Sequence, residues 1–195
     1  ETYQRSGLYR VPLPFTPGAE AAGTVIAVGD GVAGVELGSL VATAEGRASY
    51  AEQFVVPAAA AVQVPSGITA EVAAALPLQG LTAHYLATSA ARPESGETVL
   101  VHAGAGGVGL LLTQLLTARG VRVLTTVSTP EKRALSLAAG AVEALDYAEF
   151  ADRARELTDG AGVAVVYDGV GKDTFDDSCC LAARVDRCPR SICSG

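Results

Sequence analysis

Thr98-Val99-Leu100-Val101-His102-Ala103-Gly104-Ala105-Gly106-Gly107-Val108-Gly109 is the stretch on which the fold turns. Val99 to Val101 is an unbroken apolar run, which predicts a strand covered on both faces. Gly104 to Gly109 fits G-x-G-x-x-G and leads into an apolar helical run over 107–119. In that pattern the first glycine permits a tight turn. Gly106 lets backbone approach a pyrophosphate, and Gly109 lets helix and strand pack closely. The free N–H groups and positive dipole end of the helix then face the phosphates. Strand, turn and buried helix also account for the absence of charge from Thr98 to Ala118, a length close to the ~20 residues of a bilayer crossing, better than lipid does.

Downstream of this stretch strands and helices alternate. Strands are expected at 98–102, 121–127, 142–146 and 163–168, and helices at 107–119, 130–139, 149–158 and 172–178. That alternation predicts an α/β fold, a doubly wound parallel sheet. Right-handed crossovers give its four strands the spatial order 3-2-1-4, and the two further strands of a complete six-stranded sheet are not recognisable. Upstream, residues 1 to 75 are broken every few positions by Gly or Pro. Between the breaks stand short β-type runs, Thr24 to Val28, Leu40 to Ala42 and Gln53 to Val56, with turns at Gly29-Asp30-Gly31 and Pro65-Ser66-Gly67. A helix capped by Thr69 is expected through Leu76 and a second over 80–88, followed by a loop at 92–96.

Composition narrows the classes. The 195 residues carry 14 Lys+Arg against 21 Asp+Glu, a formal charge of −7, which argues against binding driven by nucleic-acid phosphates. With 49% apolar and 18% charged residues the chain predicts a globular core rather than disorder. Met is absent even from position 1, which predicts a fragment whose targeting information cannot be read. The four cysteines, Cys179, Cys180, Cys188 and Cys193, crowd the C-terminal end without the spacing of a zinc site or a disulfide framework. From Cys179 to Gly195 apolar periodicity stops, and an out-of-frame or spliced origin is expected for this tail, where a fifth strand would otherwise sit.

The end of the second strand selects the cofactor. An acidic residue there would hold the ribose 2′-OH of NAD. Here the sequence is Val127-Ser128-Thr129-Pro130-Glu131-Lys132-Arg133, with two hydroxyls and two cations in reach of a 2′-phosphate, so NADPH is expected over NADH, Glu131 being the one opposing charge.

The segments Thr2-Tyr3-x-Arg5-Ser6-Gly7-Leu8-Tyr9, Pro17-Gly18-x-Glu20-x-Ala22-Gly23, Gln79-Gly80-Leu81-Thr82-Ala83-His84-Tyr85, Val101-His102-Ala103 with its glycine loop, and Val166-Tyr167-Asp168-x-Val170-Gly171-Lys172-Asp173-Thr174-Phe175 belong to one pattern. From Thr2 to about Asp177 the chain resembles the zeta-crystallin-like quinone oxidoreductases, the zinc-free branch of the medium-chain dehydrogenase/reductase superfamily. The resemblance implies a partial GroES-like catalytic domain over 1–80, a Rossmann NADP-binding domain over 81–178 and an atypical tail over 179–195. It also implies NADPH, a homodimer in the intact parent, a cytoplasmic setting, and neither nucleic acid nor membrane as partner.

Carried over residue by residue, the resemblance gives the pyrophosphate loop to Gly104, Gly106, Gly107, Val108 and Gly109. Ser128 and Lys132 match the 2′-phosphate contacts, Tyr147 the tyrosine beside the adenosine, and Gly169 a position beside the cofactor where serine is frequent. Tyr3, Tyr9 and Thr82 match residues lining the nicotinamide and substrate cleft. The Gly-His-Glu of zinc-dependent relatives reads Gly18-Ala19-Glu20 here, which leaves Glu20 as a paired carboxylate and no metal ligand set. The implied reaction is hydride transfer to a quinone or other conjugated carbonyl. Reduction of a 2-enoyl thioester or enone stays open beside it, as does a nucleotide-binding structural protein without turnover. A catalytic domain lacking part of its sheet would also expose strand edges, and aggregation or an abnormal oligomer is expected from them.

Overall fold

Val99, Leu100 and Val101 alternate their side chains across a strand and are all buried, so the strand they form must be covered on both faces. The computed structural model describes residues 1–182 and divides the chain into two units, one over Glu1–Gln79 and one beginning at Gly80. In the second unit, β4 (Thr98–Val101), β5 (Arg122–Thr126), β6 (Glu143–Leu145) and β7 (Val165–Tyr167) form one parallel sheet in the order β6-β5-β4-β7. This is the expected 3-2-1-4 arrangement, with the switch point between β4 and β7.

Each face of the sheet owns one apolar cluster. Val99, Val101, Val123 and Tyr167 pack with Leu112 and Leu116 of α4 (Gly107–Ala118). Leu100, Leu124 and Leu145 pack on the other face with Phe150 and Ala154 of α6 (Phe150–Glu156) and Leu181 of α7 (Phe175–Leu181). The period of two in the strands thus meets the i, i+4 spacing of the helices on either side. The remaining helix of this sheet, α5 (Pro130–Ala138), starts at Thr129, whose hydroxyl accepts the Lys132 N–H, and places Pro130 in its first turn.

Several boundaries differ from the sequence expectations. α7 runs over Phe175–Leu181 rather than 172–178, because Thr174 stands at its start and Leu181 is drawn into the core. Cys179 and Cys180 therefore lie inside this helix, and Ala182 makes a single parallel bridge to Val163. The rest of the atypical tail, with Cys188 and Cys193, lies outside the described residues. The helix expected at 80–88 begins three residues earlier as α3 (Pro77–Tyr85), since a proline at a helix start gives up an N–H that has no partner there. It continues into a π-helical turn, Leu86–Ala90, in which the Leu86 carbonyl accepts both the Ala91 N–H and the Tyr167 hydroxyl and the Ala87 carbonyl accepts Arg119 Nη1.

In the first unit, β1 (Ala21–Thr24), β2 (Leu40–Thr43) and β3 (Val62–Gln63) form an antiparallel sheet in that order, with α2 (Ala70–Ala75) against β1 and β2. Thr69 caps α2 as expected by accepting the Val72 N–H. The strand expected at 24–28 is shifted to Ala21–Thr24: beyond Val25, which still pairs with Ser39 and Gly38, no neighbouring backbone meets the run. Gln53 to Val56 likewise forms no strand, whereas the two-residue β3, too short to signal itself, does. Strand propensity is largely packing against a neighbour, and these β-branched residues have none. They instead line an open apolar groove of about 710 Å³ with β1 and Val41. The turn at Pro65-Ser66-Gly67 forms as read, with Ile68 N–H bonded to the Pro65 carbonyl and Gly67 at φ +90°.

Candidate functional site

The loop that joins β4 to α4 is set by contacts to two neighbouring segments. Gly104 N–H bonds to the Thr126 carbonyl at 2.9 Å, and Gly106 N–H to the Ala103 carbonyl at 2.8 Å. Ala103 N–H donates to Tyr147 Oη at 3.1 Å. The left-handed residue of the turn is Ala103, at φ +51°, so the first glycine is not required for its torsion as the motif reading has it. Gly104 is required for space: a Cβ there would run into the Thr125 side chain and lie 3.0 Å from Ser136 Oγ. A Cβ on Gly109 would strike the Ala103 carbonyl and stand 2.9 Å from Gly104 Cα, the close helix–strand packing the spacing implies.

Gly106 is the N-cap of α4 and offers no capping side chain, so the first N–H groups of Gly107, Val108 and Gly109 stay directed out of the helix start. By contrast α2 and α5 are capped by threonines. Beside this open start lies a pocket of about 150 Å³, walled by Ala103, Ala105 and Gly106 of the loop, Thr126 to Ser128 at the end of β5, and Lys132 and Tyr147. Lys132 Nζ donates to Ser128 Oγ at 3.0 Å, one turn apart. Ser128, Lys132 and Tyr147 are thus gathered in one pocket with Gly106.

Two charges near it are otherwise engaged. Arg133 turns away from the pocket, one guanidinium nitrogen on the Ala144 carbonyl and the other 3.2 Å from Asp146 Oδ1. Of the two cations expected near a 2′-phosphate, Arg133 is thus held elsewhere and Lys132 alone lines the pocket. A hydrogen bond with Thr129, supported by a backbone N–H, holds the exposed Glu131 carboxyl below its usual range at the start of α5. There a carboxylate is favourable to the helix.

Gly169 lies in the exposed loop after β7, where Asp168 Oδ1 accepts the N–H groups of Val170 and Gly171 at 2.8 and 2.9 Å. Tyr3 and Tyr9 belong to the first unit, where their exposed rings meet edge to face at 5.4 Å. Thr82 sits on α3 in the second unit. Glu20 Oε1 accepts the Leu78 N–H at 2.8 Å in the first turn of α3, so the carboxylate expected to be paired is held by a helix start. Among the described residues no three His, Cys, Asp or Glu side chains gather as a metal site would require.

Sequence reading assigned no role to Thr126, His102, Thr174 or Ser178. A lone histidine at the end of an apolar strand is the one signal that could have marked them, because a buried imidazole needs partners for both nitrogens. His102 has them in Thr126 Oγ1 at 2.8 Å and Ser178 Oγ at 3.0 Å. Burial pushes its pKa down, and the Asp168 carboxylate offsets part of that.

Residues 1–66 match the alcohol dehydrogenase GroES-like domain and residues 107–187 the zinc-binding dehydrogenase domain. The chain is 47% identical to a quinone oxidoreductase of Pseudomonas aeruginosa, over 94% of this chain and 58% of that protein. It is 45% identical to a probable quinone oxidoreductase of Schizosaccharomyces pombe, over 91% and 54%. Among solved structures it superimposes on a mycobacterial protein complexed with NADPH at TM-score 0.88 and 53% identity, covering 93% of this chain and 58% of that one. The quinone oxidoreductase of Escherichia coli complexed with NADPH gives 0.88 at 40% identity, covering 93% and 57%. The chain therefore spans somewhat over half the length of the relatives it matches. On its two domains, their order and these identities, the chain belongs to the quinone oxidoreductase group of the medium-chain dehydrogenase/reductase superfamily.

Proposed function

We propose that this protein is an NADPH-dependent oxidoreductase that passes hydride to a quinone or another conjugated carbonyl acceptor. The observation that carries the reading is the pocket in which Lys132 Nζ and Ser128 Oγ stand together beside an α4 start left open by Gly106. Its donors suit a 2′-phosphate, and no carboxylate is among its lining residues to take a ribose hydroxyl instead. NADPH, when bound, would supply the hydride. The residues that would hold it are the N–H groups of Gly107, Val108 and Gly109 toward the pyrophosphate, Ser128 and Lys132 toward the 2′-phosphate, and Tyr147 beside the adenosine. Gly104 acts by letting the loop close on β5, and Gly169 by leaving the loop after β7 without a side chain. Tyr3, Tyr9 and Thr82 are each proposed as residues that contact substrate.

The 1–80, 81–178 and 179–195 division, a homodimer, and a cytoplasmic setting belong to the same reading. No described helix is long and apolar enough to cross a membrane. Similarity to a 2-haloacrylate reductase of Burkholderia, 36% identical over 60% of that protein, favours activated alkenes as the second acceptor class. The test is a calorimetric titration with NADPH and with NADH. NADPH is expected to bind more tightly, and Lys132→Ala to lose most of the difference, about tenfold or more for a charge-assisted bond. Equal affinity for both nucleotides in the parent would refute the reading. Turnover of quinones against enones then separates the two acceptor classes.

A further inference from the structure

Beneath the pocket runs a chain of buried polar groups. The His102 side chain has no solvent exposure, and it faces Thr126 on one nitrogen and Ser178 on the other. Ser178 Oγ lies 3.0 Å from Asp168 Oδ2, which also accepts from Thr174 Oγ1 at 2.7 Å. Oδ1 of the same carboxylate accepts the two N–H groups of its own turn. Burial alone would raise the Asp168 pKa, but these hydrogen bonds together hold it below the usual carboxylate value. It is therefore ionised near neutral pH, and an ionised carboxylate only accepts.

One hydrogen decides the rest. The Ser178 hydroxyl owns a single proton, and Asp168 takes it, so toward His102 Ser178 offers a lone pair. His102 Nε2 then carries the ring proton, Nδ1 is bare, and the buried Thr126 hydroxyl donates to it. The opposite tautomer would ask one Ser178 hydrogen to serve Nε2 and Asp168 at once and would take from Thr126 its acceptor. A doubly protonated ring is opposed by its burial, which outweighs the opposite pull of the Asp168 carboxylate, Oδ2 lying 4.0 Å from Nε2.

We infer that Thr126, His102, Ser178 and Asp168 form a hydrogen-bond chain of fixed direction, in which His102 is held as the Nε2–H tautomer and acts as a positioning residue for the pocket beside the glycine loop. The ring is the surface on which Tyr147 lies, stacked at 6.0 Å and 13°, while Phe150 meets it edge-on at 4.8 Å. Tyr147 in turn receives the Ala103 N–H, and Thr126 receives the Gly104 N–H on its carbonyl. At the far end, Asp168 shapes the turn that carries Gly169. The chain thus ties together the ends of β4, β5 and β7 on both sides of the switch point. Among the described residues the ionisable groups against the ring are Asp168 and Tyr147. What fills the pocket rests on the proposed function, whereas the direction of the chain does not.

The histidines of this chain are two, His84 and His102, so His84→Gln leaves a single imidazole for nitrogen NMR. In that otherwise intact chain, without ligand, the ring is expected as the neutral Nε2–H tautomer at neutral pH. Ser178→Ala is expected to release it toward Nδ1–H and to weaken binding of adenosine 2′,5′-bisphosphate about tenfold, as for one buried hydrogen bond left unmade. Ser178→Thr, which keeps the hydroxyl, is expected to restore both. An Nδ1–H ring in the parent overturns the inference without any variant being needed. So does a Ser178→Ala chain whose tautomer moves while its affinity stays, since the positioning role then fails. A parent with the Nε2–H ring that binds no adenosine 2′,5′-bisphosphate upholds the direction of the chain and counts against the NADPH reading instead.

Discussion

The two units contain the same kinds of strand-forming residues and do different things with them. In the second, Val99, Leu100, Val123 and Leu124 are wholly buried between helices on two faces of the sheet. In the first, Ile26, Leu37 and Val55 are 65%, 67% and 87% exposed. A β-branched run becomes a strand when a neighbour and a covering layer are present, and the first unit supplies those for a short three-stranded sheet only. Stability should therefore be concentrated in the parallel sheet.

Truncation is the strongest way to break that contrast. Leu116→Ala, at the centre of one cluster, is expected to cost about 2–5 kcal/mol in denaturant unfolding, whereas Leu37→Ala should stay within about 0.5 kcal/mol. Comparable losses at both positions would show that the first unit buries its apolar residues in solution. Next in size is a pair of glycines. Gly109→Ala drives a methyl into the Ala103 carbonyl and is expected to cost about 1–3 kcal/mol and to disturb the loop. Gly23→Ala, in β1 with nothing within 4 Å, should be close to neutral. If Gly109→Ala unfolds like the parent, the close approach of α4 to the loop is not a constraint.

The same contrast explains what the sequence revealed. The parallel sheet was legible down to its strand order, because unbroken apolar runs, helical spacing and the glycine loop all agree from Thr98 to Tyr167. In the first unit Thr24 to Val28 and Gln53 to Val56 carry strand propensity without partners, and propensity cannot report whether a neighbour is present. At the pocket, residue types identified Ser128 and Lys132, but not that Arg133 spends its guanidinium on the Ala144 carbonyl and Asp146. The Thr126-His102-Ser178-Asp168 chain was hidden for another reason. Its members are spread from position 102 to 178, and only the parallel order of β5, β4 and β7 brings them together.

Acid should also separate the units, since both histidines lie after Gly80. His102 has a folded pKa depressed by burial from its ordinary 6.5. As pH falls below 6.5 the unfolded chain takes up a proton that the folded one refuses, so stability falls until the folded pKa is passed and then levels. Asp168, also depressed, adds a further loss only at pH below the ordinary carboxylate value of 3.8. Urea midpoints of the second unit, followed by exchange of its sheet amides, are expected to decline over the first of these windows. Those of the first unit should show no imidazole step, and a second unit insensitive to pH below 6.5 would mean that His102 is not buried neutral.

The smallest expected effect concerns backbone torsion, where the units are alike. Each has an alanine in the left-handed region, Ala48 at φ 60° and Ala103 at φ 51°. Glycine would relieve about 1 kcal/mol of torsional cost at either, but the unfolded chain would gain roughly 0.4–1 kcal/mol of conformational freedom. The two terms oppose each other, so Ala48→Gly and Ala103→Gly should each leave stability within about 0.5 kcal/mol of the parent. Ala103 differs in having its N–H on Tyr147 and its carbonyl on the Gly106 N–H. Those bonds are expected to persist in the glycine variant, as they must if the torsion is a consequence of the loop being held on β5 and Tyr147 and not the cause of its shape. A loss well beyond 0.5 kcal/mol at Ala103 alone would reverse that order and give the methyl group itself a packing role.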